Sequence, residues 1–149
     1  MLGTLPQYLA LFADDDFHME EICKRTSALI ETFNLKTLDP TRVLPFYLVA
    51  AEAYIENGKT EKALDMLETY TDIAVRVTYP LEFLKGDSFF DFLKNLEETV
   101  PFGQAEMPRD EKSIRQSMAD EVVGNPVFSV LFEEPRFQSL CDKLQDNLK

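Results

Sequence analysis

Few side chains in this chain could do chemistry, and their spacing assembles no recognised reactive centre. His18 is the one histidine, and it stands among acidic residues, where a surface role outweighs metal or acid–base work. The two cysteines, Cys23 and Cys141, lie far apart and make no zinc-binding spacing with His18. Gly58-Lys59 lacks the upstream glycine and preceding strand of a phosphate-cradling loop, and no Gly-x-Ser-x-Gly elbow occurs. Glu20-Glu21, Glu97-Glu98 and Glu133-Glu134 place carboxylates next to one another in sequence. Side chains at i and i+1 diverge on a helix, so these pairs do not face each other. Only an acid–base pair built from distant segments is left open. No catalytic residue, metal site or cofactor is expected, and the chain does not read as an enzyme.

The elements that would position any site are helices. From Tyr47 to Leu67 two helical stripes are joined by a tight turn at Asn57-Gly58. Tyr47, Ala51 and Tyr54 stand at i, i+4 and i+7 and so share one face. Ala63 and Leu67 repeat the i, i+4 step beyond the turn. Ala51 and Ala63 are small enough for two backbones to cross closely as an antiparallel pair, with the tyrosines and Leu67 filling the space beside them. Gly58 provides the positive φ that ends the first helix. Asp39-Pro40 predicts its start, a capping carboxylate followed by proline at the first helical position.

This pattern resembles a tetratricopeptide (TPR) repeat. Tyr47, Ala51, Tyr54, Gly58, Ala63 and Leu67 match the family's aromatic, small, tyrosine, glycine, alanine and large apolar positions. Tyr70 departs, because the family has a small residue there, and the closing proline comes late, at Pro80. About one repeat matches, and it reads as divergent, with a long second helix. The resemblance implies an all-α fold of antiparallel helical hairpins, a TPR-like α-α superhelix with irregular C-terminal helices. It also implies that the first helix of the pair lines a concave face, which assigns Leu48, Glu52 and Ile55 as binding residues. The alternative is that Leu48 and Ile55 pack on a neighbouring helix and Glu52 is solvated.

Elsewhere the periodicity predicts a short helix over Leu5–Phe12 and a second over roughly Phe17–Phe33. The latter is capped in Asp14-Asp15-Asp16 and carries Met19, Ile22, Cys23, Thr26, Leu29, Ile30 and Phe33 on one face. These two helices read as a truncated preceding repeat, so residues 1–149 form a single domain that reads as the C-terminal portion of a longer protein. The alternative is that Met1 is the native start. Beyond Pro80, Asp87 or Ser88 caps a phenylalanine-rich helix to about Glu98, and Pro101–Pro108 is a loop. Arg109–Val123 is a helix carrying Ile114, Met118 and Val122. Gly124-Asn125-Pro126 stops it and starts a short helix, and Pro135 opens a terminal one with Phe137, Leu140, Cys141 and Leu144 inward. The run from Asn125 to Leu140 resembles the end of many bacterial TPR proteins, including regulators with an N-terminal helix-turn-helix.

Composition narrows the partners. The net charge of −12 repels phosphate backbones and anionic membrane surfaces, so direct nucleic-acid contact by this segment is disfavoured. No apolar stretch reaches membrane-spanning length, and the first residues lack a signal peptide's basic flank and apolar core. The cysteines read as reduced and helix-packed, which predicts a cytoplasmic protein; the alternative is a disulfide between the two ends. Twelve phenylalanines leave apolar surface for a homodimer interface. The expected function is protein or peptide binding, as the effector or dimerisation region of a bacterial transcriptional regulator. A stand-alone adaptor or chaperone-like scaffold is the alternative. The basic side chains with which some TPR domains clamp a terminal carboxylate are not evident, which favours apolar or basic segments as ligands.

Overall fold

A computed structural model of the chain describes residues 7, 9, 11, 15–79, 88 and 110–149. Among these residues the architecture is all-α, with no strand. Helix α1, Asp16–Thr32, is opened by Asp15, whose carboxylate accepts from the His18 backbone N–H at 3.1 Å. It buries Met19, Cys23, Thr26 and Ile30, four of the seven residues placed on its apolar face; Ile22 and Leu29 are half-buried and Phe33, just past its end, is exposed. Asn34 then takes a left-handed conformation, φ 50°, and turns the chain into a short helix α2, Leu35–Leu38. One turn of helix is too short to show a 3.6-residue period, so the sequence carries no sign of it.

Helix α3, Pro40–Glu56, and helix α4, Thr60–Arg76, form the hairpin expected from the alanine and tyrosine spacing. Pro40 occupies the first turn as predicted, but the Asp39 carboxylate does not cap the helix. It is taken instead by the Thr41 hydroxyl at 3.2 Å and the Arg42 Nε at 3.1 Å. Gly58 has φ +68°, and the backbone N–H groups of Gly58 and Lys59 donate to the Ile55 and Tyr54 carbonyls at 2.9 and 2.8 Å. This pair of bonds is a Schellman closure, which satisfies carbonyls that the end of α3 would otherwise leave open. An added Cβ at Gly58 meets nothing within 4 Å, so the position selects glycine for its backbone angle and not for space.

Tyr47, Ala51, Tyr54, Ala63, Leu67 and Tyr70 are all buried. Ala50, Ala51 and Ala63 are fully enclosed, and α3 and α4 make the most extensive helix contact among the described elements. Small side chains at the crossing bring the backbones together, and flanking large ones fill the remaining volume to the density of a protein interior. Ile73 to Arg76 continue α4 and Val77 leaves it, so the β-branched run does end the helix.

Helix α5, Glu111–Val123, is capped by Asp110, which accepts from Ser113 N and Oγ at 2.9 and 2.8 Å. Gly124 ends it. Asn125 caps a 310 turn, Pro126–Leu131, through Val127 N at 3.0 Å, and Pro135 opens helix α6, Pro135–Asp146. Helix α6 packs on α4 and α5, the 310 turn touches α3, and α1 lies against α2 and α3. Phe128, Leu131, Phe137, Leu140 and Leu144 join the hairpin's core. None of the described helices is long and apolar enough to cross a membrane. The predicted helix over Leu5–Phe12 is described only at Gln7, Leu9 and Leu11, which are helical. Of the phenylalanine-rich helix and its two candidate caps only Ser88 is described, and it is exposed; Asp87, the rest of that helix and the Pro101–Pro108 loop lie outside the described residues.

Candidate binding surface

Leu48, Glu52 and Ile55 lie along one side of α3, as their spacing requires, and all three are half-buried. Leu48 and Ile55 pack against the core from its margin. The Glu52 carboxylate accepts from Asn125 Nδ2 at 2.8 Å, so the cap of the 310 turn is tied to this face of α3. The segment that reaches Glu52 lies more than seventy residues away in the chain, and no local spacing signals it.

Two clusters of charge join distant helices. Glu20 on α1 accepts from the Tyr54 hydroxyl at 3.2 Å, from Lys59 Nζ at 2.8 Å and from Lys62 Nζ, and Lys59 also reaches Asp16. Burial by itself would raise the Glu20 carboxyl, but the hydrogen bonds from Lys59 and Lys62 outweigh it and hold the pKa at about 2. The second cluster centres on Arg136, at the start of α6. Its Nε meets Glu68 at 3.1 Å, its Nη1 Glu61 at 2.9 Å and its Nη2 Asp65 at 2.9 Å. Those carboxylates stand at i, i+4 and i+7 on α4, so one planar guanidinium spans two turns of the helix.

Tyr70, the departure from the repeat pattern, has a partner. Its hydroxyl donates to the Met118 carbonyl at 3.0 Å or the Glu121 carboxylate at 3.1 Å. Burial first, and then the Glu121 charge, push the phenol above its ordinary range. A small residue here would leave α5 without this anchor. Arg115 on α5 adds a hydrogen bond to the Val77 carbonyl at 2.9 Å and stacks 5.4 Å from the Tyr79 ring centre.

The more open feature is a shallow groove of about 290 Å³ between the end of α5, the turn after the 310 segment and α6. Val123, Phe132, Phe137 and Cys141 make its apolar part, and Gln138, Asp142 and Gln145 its polar edge. On α6 the residues 138, 141, 142 and 145 fall at i, i+3, i+4 and i+7, one stripe of the helix. Phe137 is buried and supports the floor. Phe132 stacks on it with ring centres 5.9 Å apart, yet remains 45% exposed, and neighbouring Val130 is 63% exposed. The Gln138 amide donates to the Phe132 carbonyl at 2.9 Å and fixes the turn that presents the ring. Both described cysteines are free thiols. Burial raises the Cys23 and Cys141 pKa values, with Asp142 adding to the effect at Cys141, so both stay protonated and weakly nucleophilic at neutral pH.

The sequence could mark Phe132 only as one more apolar residue. A 310 turn followed by two turn residues breaks helical phase, and that break puts the ring outside. No family model matches this chain, and neither a curated protein nor a solved structure is significantly similar to it.

Proposed function

We propose that this chain is a protein- or peptide-binding module of TPR-like type, the effector or dimerisation region of a bacterial transcriptional regulator whose DNA contacts are made elsewhere. The observation that carries the binding reading is the groove beside α6. There an aromatic ring is held half in solvent over a buried apolar floor, with amide and carboxylate groups along one edge. Binding hot spots combine an apolar pocket with a polar rim in this way. The regulator reading is supported by the resemblance of residues 125–140 to the ends of such proteins. It is also supported by their local form: a short helical turn, then a terminal helix opened by Pro135.

The test is affinity capture from bacterial lysate with the wild-type chain, Phe132→Asp and Glu52→Arg. Loss of one specific partner with Phe132→Asp alone supports the groove by α6. Loss with Glu52→Arg alone assigns binding to the α3 face with Leu48 and Ile55. A partner profile unchanged in both variants overturns the binding reading for both surfaces.

A further inference from the structure

We infer that the α6 groove takes a basic segment of a partner protein, seated by one bulky apolar side chain with lysines or arginines on either side. The inference rests on the groove being a docking surface and adds the chemistry of its occupant. The size argues for an anchor residue: about 290 Å³, open on one side, lies at the lower limit of small-molecule sites and cannot enclose most of such a ligand. One large apolar side chain against Val123, Phe132 and Cys141 fits it, with the rest of the segment outside.

The charge argues for a basic flank. Asp142 lines the groove, and Glu133 and Glu134 follow Phe132 directly and are exposed. Asp120 is exposed one turn before Val123 on α5, held by the Gln116 amide at 2.8 Å. Among the described residues, the nearby cations do not offset them. Arg136 is committed to Glu61, Asp65 and Glu68 on α4. Lys143 stands on the side of α6 away from the stripe at 138, 141, 142 and 145, and Lys149 is paired with Asp146 at 2.6 Å. A second copy of this chain is a poor occupant. A twofold contact centred here would bring Asp142 and Glu133 against their own counterparts, in a chain of net charge −12. Nucleic acid is disfavoured by the same sign of charge.

The experiment uses three labelled synthetic peptides of equal length: alternating Lys and Ser around a central Phe, the same with Glu for each Lys, and the basic one with Ala for Phe. Fluorescence anisotropy reads affinity, and the rate of Cys141 alkylation relative to buried Cys23 reads occupancy. The basic Phe peptide is expected to bind at least about tenfold more tightly than either control, to weaken with added salt, and to slow Cys141 alkylation. Asp142→Lys should abolish the preference for the basic peptide, and Phe132→Ser the preference for the central Phe. Circular dichroism of both variants checks that these exposed sites leave the fold intact.

Equal binding of the acidic and basic Phe peptides, still sensitive to Phe132→Ser, overturns the charge assignment and leaves the groove as a binding site. Peptide binding insensitive to both substitutions, with Cys141 unprotected, overturns the groove itself. A wild-type dimer in sedimentation that Phe132→Ser converts to monomer assigns the surface to a second copy and overturns the proposal.

Discussion

The α3–α4 hairpin and the C-terminal unit from α5 to α6 are fastened by different physics. In the hairpin, fully enclosed alanines set the helix spacing and large side chains fill the flanks. The C-terminal unit also buries Phe128, Leu131 and Phe137, but its margin is tied by polar bridges: Asn125 to Glu52, Tyr70 to Glu121 and Met118, Arg115 to Val77, and Arg136 to three carboxylates. Apolar burial is neither screened by salt nor titrated by mild acid, whereas exposed ion pairs are weakened by both. The hairpin is therefore the platform, and the unit that carries the groove is fastened in part by contacts that solution conditions can weaken.

Substitutions can separate these two kinds of attachment. The largest expected effect is Leu67→Ala in the hairpin, which removes a fully buried side chain and should lower unfolding free energy by about 2–5 kcal/mol. Urea titration should find that loss unchanged at high salt. Ala51→Leu tests the close crossing itself. Extra volume at this enclosed site should cost about 1–3 kcal/mol, and a neutral result would mean that the helices are looser than their alanines imply.

Tyr70→Phe keeps the ring and removes the hydroxyl that holds α5. A loss of about 1 kcal/mol is expected, with faster hydrogen exchange in α5 than in α3.

Helix α1 is tied through Glu20, whose folded pKa is depressed to about 2 from an ordinary 4.5. A depressed carboxyl stabilises the fold above its unfolded pKa, and that contribution falls away as the pH drops from about 4.5 through about 2. Because the group is part-exposed, its worth at neutral pH is about 1 kcal/mol, and Glu20→Gln should flatten the acid limb of stability over that window. The smallest effect is expected from Arg136→Ala. It should lower the melting temperature slightly at low salt and not at all at high salt, and limited proteolysis should show α6 more readily cut.

The same division decides what the sequence revealed. The hairpin was legible because Tyr47, Ala51, Tyr54, Ala63 and Leu67 follow the helix period and Gly58 marks the turn, both of which are local signals. The end of α5 and the starts of the 310 turn and α6 were legible from Gly124, Pro126 and Pro135 for the same reason. Arg136 and its carboxylates lie about seventy residues apart, and a charge in a sequence does not announce its partner. Tyr70 read as a misfit because its role depends on Met118 and Glu121. Leu48, Glu52 and Ile55 were legible as one side of α3, but Asn125 arriving at Glu52 was not. The groove was hidden because Phe132 owes its exposure to a break in helical phase.

Arg136 has a consequence for shortened forms of the chain. A break in the turn before Pro135 would strip off α6 and uncover the apolar strip of α4 beneath it. The same cut would leave Glu61, Asp65 and Glu68 repelling one another on consecutive coils. One lesion would thus make the remnant both greasier and more self-repelling, and the stretch 135–149 would govern whether the rest of the chain stays dispersed.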